Sequence, residues 1–367
     1  MTDENPIRDA VILPDGRDPY RPVAGVPLVV RTILALQRGG IERCTVVGPG
    51  PGPADPRIRC AVASAPVFPA VDDARLWLVV GPGVVLDEAL VRDLQARARP
   101  GEVMDVEQAG ARVRVAPAAL AAANGTTRWA PGAGTLLSAG ATPALVEDAL
   151  LRALENPRDG YLDRLLHRHL SRPLTRWLLR TPLSPNAITV IGLLIGMAGG
   201  ALLGVPGALA LAGGVACLVL SGVLDCSDGE LARLRFAESR LGHVLDVSGD
   251  TLVHLTVLGG IAARAAESGA HPGAGVLVAL FLGALGAFGA ISWSERTEAR
   301  RRRAAGWENA VLDRVLSPLS TRDWYVFPLA FAVAGRLDLL LPAAALGAHL
   351  FWIVTGLVLM RALRRTR

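Results

Sequence analysis

Residues 225–250 read Asp225-Cys-Ser-Asp228-Gly229-Glu-Leu-Ala232-Arg233, then eight residues, then Gly242-His-Val-Leu-Asp246-Val-Ser-Gly-Asp250. The carboxylates come in two pairs, the first spaced by three residues and the second by four, so each pair lies on one face of a helix. Long apolar runs flank the stretch on both sides. Carboxylates are costly inside a bilayer, so a cluster of them among apolar runs points to a functional site. Hard oxygen ligands of this kind suit Mg²⁺ or Mn²⁺, with a phosphate-bearing substrate completing the shell. The bland alternative is that these acids cap helices or pair with Arg233, Arg235 and Arg240.

Around this stretch the chain is apolar. Its 367 residues are enough for two domains. Charged residues make up only 19% and the mean hydropathy is +0.39, which favours a membrane protein. The formal charge is +5, and every basic residue is Arg, because the chain has no Lys. A basic excess can serve nucleic acid, but here the Arg residues cluster beside apolar segments, which fits anionic lipid head groups better. Cys44, Cys60, Cys217 and Cys226 have no metal-ligand spacing and read as reduced small residues. The polar, acidic start MTDENPIRD is not read as a signal peptide.

From Ser184-Pro185-Asn186 onward the pattern is that of a membrane domain. Six apolar segments are expected, at 187–204, 207–224, 243–263, 273–293, 324–340 and 341–360. They are rich in Gly and Ala, which lets membrane helices approach closely. Arg233, Arg235 and Arg240, then Arg296 and Arg300 to Arg303, then Arg361, Arg364, Arg365 and Arg367 all fall on alternate turns of this layout. The opposite turns carry little charge, Arg264 and Arg336 being the nearby exceptions. Positive charge is retained in the cytoplasm, so both termini and the Asp cluster are expected on the cytoplasmic side of the cell membrane.

The stretch at 225–250 resembles, position for position, the eight-residue signature of the CDP-alcohol phosphotransferases, D-x2-D-G-x2-A-R-x8-G-x3-D-x3-D. The resemblance implies transfer of the phosphoalcohol group of a CDP-alcohol to an acceptor hydroxyl, with release of CMP, in phospholipid or inositol-phosphodiester synthesis. It implies Mg²⁺ or Mn²⁺, as two ions, held by Asp225, Asp228 and Asp246, with Asp250 as general base that also touches metal. Asp225, Gly229, Ala232, Arg233 and Gly242 would line the CDP pocket. Pro185-Asn186-Ala-Ile-Thr189 resembles the P-N-x-x-T that opens the first span in this family, and equally reads as a capped helix start. Thr321-Arg322-Asp323 reads as a helix start with a snorkelling Arg. His243 and His254 bracket the acids and are assigned no role. Family members are often homodimers, which the small-residue helices allow.

Residues 1–152 read as a soluble α/β domain. Ala10–Leu13, Cys44–Gly48 and Leu76–Gly81 are expected strands, and Pro27–Leu36 an expected helix, in the order of a parallel sheet covered by helices. Val23-Ala-Gly-Val-Pro27-Leu28-Val-Val-Arg31 through Leu36, followed by Gly39-Gly-Ile and Val46-Val47, resembles sugar-phosphate nucleotidyltransferases with a Rossmann-like fold. Cytidylyltransferases that make CDP-inositol are fused to CDP-alcohol phosphotransferases in some organisms, and this layout is similar. The family's Gly-rich phosphate loop is here Leu13-Pro14-Asp15-Gly16-Arg17-Asp18-Pro19, its Lys is Val26, and its metal-binding Asp corresponds to Gly81-Pro82-Gly83. Those departures imply that cytidylyl transfer has been lost.

Residues 153–183 form a juxtamembrane segment, with Arg164, Arg168, Arg172 and Arg176 every four residues and Leu and Trp between them. The pattern predicts an amphipathic helix on an anionic membrane face. The six-helix membrane domain then occupies 184–367. Two other functions stand beside the phosphotransferase: a bifunctional enzyme with a working cytidylyltransferase, and an ion-coupled transporter. Transporter acids usually lie near the bilayer midplane, whereas these lie at helix ends.

Overall fold

The structure, a computed structural model, describes residues 7–13, 18–48, 52–67, 75–99, 102–108, 110–117, 127–129, 134–138, 140, 142–154, 166–267, 273–301, 306–316, 331 and 336–365. Pro14 to Arg17, Arg164, His271, Arg302, Arg303, Thr321-Arg322-Asp323, Arg367 and most of the expected span at 324–340 lie outside the described residues. The chain divides into two compact units, residues 1–154 with 233–237, and residues 155–232 with 238–367.

Among the described residues, the first unit is built on a seven-stranded sheet. Its strands are β1 (Ile7–Ile12), β4 (Arg43–Val47), β5 (Ala61–Ala65), β6 (Leu76–Val80), β8 (Met104–Gln108), β9 (Ala111–Pro117) and β10 (Thr127–Trp129), in the order β10-β8-β9-β6-β1-β4-β5. Short pairs β2 (Pro22–Val23) with β3 (Val26–Pro27), and β7 (Val84–Leu86) with β11 (Leu136–Ser138), stand outside it. β1, β4, β5 and β6 are parallel, as the apolar runs of β1, β4 and β6 predict; β5, half exposed, is not among the expected strands. The antiparallel β8–β9 hairpin has no counterpart in the sequence-based expectation. Its alternating side chains pair Asp105 with Arg114 at 2.7 Å, and Gly110 makes the turn at φ 74°.

Helix α1 (Leu28–Arg38) is buried along most of its length, because Val29, Val30, Ile33, Leu34 and Leu36 join Leu78, Val80 and Leu90 in one core. Helix α2 (Glu88–Arg97) is capped by Asp87, whose carboxylate accepts from Leu90 N and Thr135 N, both at 2.9 Å. Helix α3 (Pro143–Ala153) ends the unit with Pro at its first turn.

The sulfurs of Cys44, on β4, and Cys60, just before β5, lie 3.9 Å apart as free thiols. Their hydrogen bond, and then burial, push Cys44 well above its usual value. The same bond brings Cys60 down to about 7. Thiolate is the reactive form, so Cys60 loses reactivity as the pH falls through about 7. Iodoacetamide followed by peptide mass spectrometry should label Cys60 before the other cysteines, with a rate midpoint near pH 7. A midpoint near the ordinary thiol value of about 8.5 would remove this reading.

The second unit is helical. Helix α4 (Arg168–Leu178) precedes α5 (Pro185–Gly204), α6 (Ala208–Leu234), α7 (Arg240–Glu267) and α8 (Ala274–Arg301). A short α9 (Trp307–Val311) runs into one π-helical turn at Leu312–Leu316, and α10 (Leu337–Arg364) closes the chain. Among the described residues, α5, α6, α7, α8 and α10 are long and apolar enough to cross a membrane. Residues 337–340, expected at the end of a fifth span, belong instead to α10.

α5 packs along α7, and α8 along α10. Leu203, Leu218, Val257, Ile261, Leu280 and Leu341 meet in the apolar centre. His349 on α10 bonds Ala279 O on α8 at 2.9 Å and accepts from Trp352 Nε1 at 3.1 Å. Arg264, one of the charges on the otherwise neutral turns, donates to Leu203 O at 2.7 Å and Val205 O at 2.5 Å. It therefore caps the carbonyls at the end of α5, a structural use that explains its place.

Candidate active site

α6 and α7 carry the four aspartates. α6 does not stop at Asp225 and Asp228, as the span boundaries suggest, but continues to Leu234. α7 begins at Arg240, where Ser239 caps it: its Oγ accepts from Gly242 N at 3.0 Å. α5 is the shared neighbour that holds both. Ser221 Oγ on α6 donates to Gly192 O on α5 at 2.8 Å. Gly196 and Gly200 on α5 leave space for Val253 and Thr256 on α7; a Cβ at Gly196 would lie 2.8 Å from Val253, and one at Gly200 2.6 Å from Thr256 Oγ1. Small residues at the crossing set how near the acid-bearing helices come.

One carboxylate oxygen from each of Asp225, Asp246 and Asp250 lies within 4.8 Å of the others. None of the three is fully buried, so solvent and solutes reach the group. Asp228 stands outside that group; it is 7% exposed and faces inward on α6. Two oxygens on opposite sides of one Mg²⁺ ion are about 4.2 Å apart, so the three acids fit a divalent ion after a small closure. The donor set is all oxygen, as a hard cation requires.

Of the other residues expected at the site, Gly229 and Ala232 lie on α6 beyond the acids, and Arg233 in its last turn is grouped with the first unit. Gly242 is on the first turn of α7. A Cβ there would sit 2.9 Å from Asn186 Oδ1, so the Pro185-Asn186 start of α5 meets the glycine of the signature. The same start is also a capped helix: Ser184 Oγ accepts from Ala187 N at 3.2 Å, with Pro185 following. The capped-helix reading of that motif therefore holds. In the first unit, a Cβ at Gly81 would lie 2.7 Å from Arg112 O, so the first of the three residues Gly81-Pro82-Gly83 that stand where the nucleotidyltransferase Asp is expected has no room for a side chain.

Residues 182–360 match the family model described as CDP-alcohol phosphatidyltransferase. This half of the chain is a CDP-alcohol phosphatidyltransferase domain. Among curated proteins, the chain is 38% identical over 102 residues to phosphatidylinositol phosphate synthase of Mycobacterium marinum, covering 28% of this chain and 42% of that one. It is 31% identical over 118 residues to the bifunctional IPC transferase and DIPP synthase of Rubrobacter xylanophilus, covering 32% of this chain and 26% of that one. The chain thus spans less than half the length of either. A solved structure, phosphatidylinositol phosphate synthase (PgsA1) of Mycobacterium tuberculosis in complex with manganese and citrate, aligns over 53% of this chain and 88% of that one, at 20% identity and a TM-score of 0.30.

The juxtamembrane segment departs from its expected arrangement. Leu166, just before α4, and Leu170, Pro173 and Trp177 on it form an exposed stripe, with Trp177 58% exposed. Arg168, Ser171 and Thr175 are buried instead. Arg168, Arg172 and Arg176 therefore do not mark one outward face. Nothing in the periodicity alone says which side of an amphipathic helix is covered. The partner is Glu230, a variable position of the signature to which the sequence reading assigned nothing.

Proposed function

We propose that the chain is an integral-membrane CDP-alcohol phosphotransferase that transfers the phosphoalcohol group of a CDP-alcohol to an acceptor hydroxyl and releases CMP. The observation that carries this reading is the convergence of Asp225, Asp246 and Asp250 oxygens within 4.8 Å inside a domain of that family. Asp225 and Asp246 would hold a divalent ion, Mg²⁺ or Mn²⁺, with Asp228 close along the helix and Asp250 completing the group. Such an ion, when bound, offsets the charge of the pyrophosphate and of the departing CMP.

Asp250 takes the proton of the acceptor hydroxyl. The new bond forms between the acceptor oxygen and the β-phosphorus, and the bond from that phosphorus to the bridging oxygen breaks, leaving CMP with that oxygen. Attack and departure are roughly in line, which the fixed carboxylates favour by holding the donor still. Gly229, Ala232 and Gly242 keep the approach clear, and Arg233 supplies a fixed cation for phosphate.

The first relative is named for phosphatidylinositol phosphate, so an inositol phosphate is the first acceptor to test and CDP-diacylglycerol the first donor. Glycerol phosphate, serine and CDP-inositol complete the panel. The site and both termini would face the cytoplasm at the cell membrane, by the placement of Arg. Anionic lipids would meet the Arg-rich turns, and the Gly- and Ala-rich helices leave a homodimer open. The first unit would be an inactive nucleotidyltransferase-like domain serving assembly or stability.

CMP release by purified protein in nanodiscs, with Mg²⁺, paired donors and acceptors and no CTP, tests the reading. Turnover should require one donor and one acceptor and should fall about 10²–10⁴-fold in Asp250→Asn, the usual worth of a positioned base. Donor binding with no CMP from any pair would sink the assignment.

A further inference from the structure

Glu230 follows Asp228-Gly229 on α6 and is 1% exposed. A buried carboxylate persists only where charges and donors compensate it. Among the described residues, its hydrogen-bond partners all lie on α4. Arg168 Nη1 donates to Oε1 at 2.8 Å, Ser171 Oγ to Oε1 at 2.9 Å, and Thr175 Oγ1 to Oε2 at 2.6 Å. Residues 168, 171 and 175 lie one turn apart, so a single face of α4 is spent on this one side chain. A second point of attachment lies farther back on α6. There Gly222 leaves room for the ring of His167: a Cβ would come within 2.7 Å of its Cε1.

The polar face of α4 is thus turned onto α6 at two places bracketing Asp225 and Asp228. The apolar stripe of Leu166, Leu170, Pro173 and Trp177 is left exposed. A helix with that stripe and a Trp seats at a bilayer interface. Docking it polar-side-in couples the seat to the acid-bearing helix, and charge-assisted bonds in a buried site hold geometry more tightly than apolar contact does.

We propose that Glu230 is a positioning residue for the phosphotransfer site. It locks α4 onto α6, so that Asp225 is held in the place where it meets Asp246 and Asp250. This rests on the reading of those three acids as a divalent-ion site. Glu230 does not touch substrate; it acts through the placement of its helix.

The test uses the full-length protein in nanodiscs and two readouts other than turnover: Mn²⁺ binding by electron paramagnetic resonance, and hydrogen exchange of the α4 amides. Glu230→Gln keeps one acceptor oxygen, turns the other into an amide donor, and removes the charge facing Arg168. It should weaken Mn²⁺ binding about tenfold and raise exchange in α4. Ser171→Ala with Thr175→Val leaves the ion pair intact and should give a smaller shift in the same direction, which keeps the test sound where Glu230→Gln fails to fold. Arg168→Lys, the conservative cation, should restore most of the affinity that Arg168→Met loses. Folded Glu230→Gln or Ser171→Ala/Thr175→Val protein with the parent's Mn²⁺ affinity would overturn the clamp alone. A parent that binds no Mn²⁺ would overturn the reading of Asp225, Asp246 and Asp250, and this proposal with it.

Discussion

Asp225→Asn should lower CMP release about 10³-fold or more while the protein stays folded. The change keeps the shape of the side chain and removes one charge from a group whose three oxygens lie within 4.8 Å. Neutralising charge on a transferring phosphoryl group is worth several kcal/mol, and about 4 kcal/mol corresponds to a factor of 10³ in rate. The competing view, in which the acids cap helices or pair with Arg, predicts something else: a loss of about 1 kcal/mol of stability with turnover changed less than about tenfold. Steady-state CMP release, read beside a melting curve and a Mn²⁺ titration, separates them. Weakened Mn²⁺ binding with an unchanged melting temperature is the expected pattern. A falling melting temperature with normal Mn²⁺ affinity would favour capping.

Gly200→Val should destabilise the membrane unit and weaken the same ion site from a distance. A Cβ at Gly200 would lie 2.7 Å from both Thr256 C and Val257 N, which are backbone atoms of α7 and cannot move unless the helix does. Overfilling a packed contact costs about 1–3 kcal/mol, and a β-branched side chain here adds atoms beyond Cβ. α7 also carries Asp246 and Asp250, so pushing it away from α5 spreads the acids that α5 brings together. The control is Gly259→Val on α7, where an added Cβ meets nothing within 4 Å. Its effect should stay within about 0.5 kcal/mol, as for most surface changes. Melting in nanodiscs, followed by Mn²⁺ titration, reads both variants. Equal behaviour of the two would show that the α5–α7 crossing does not set the site.

Several features were legible because local chemistry decides them. The start of α5 is one: Ser184 caps and Pro185 fills the first turn, whatever surrounds them. The buried parallel strands β1, β4 and β6 are another, since continuous apolar runs bounded by turns have few other solutions. Other features were hidden because they depend on contacts far apart in the chain. Arg264 reads as a breach of charge asymmetry until it is seen capping the end of α5. The β8–β9 hairpin is carried by strands of mixed composition, held because β9 pairs with β6 and β8 with β9.

The sequence by itself determined the chemistry. It set which carboxylates are available, at what helical spacing, and beside which apolar runs, because spacing along a helix is a property of the local backbone. Only the tertiary structure decided how those groups are used. Spacing places Asp225 and Asp228 on one face of α6 alike, yet the position of α7 selects Asp225 to meet Asp246 and Asp250 and leaves Asp228 outside the trio. Periodicity makes α4 amphipathic, yet only the buried carboxylate of Glu230 turns its polar face inward, since an unpaired charge there would cost more than the helix could recover elsewhere.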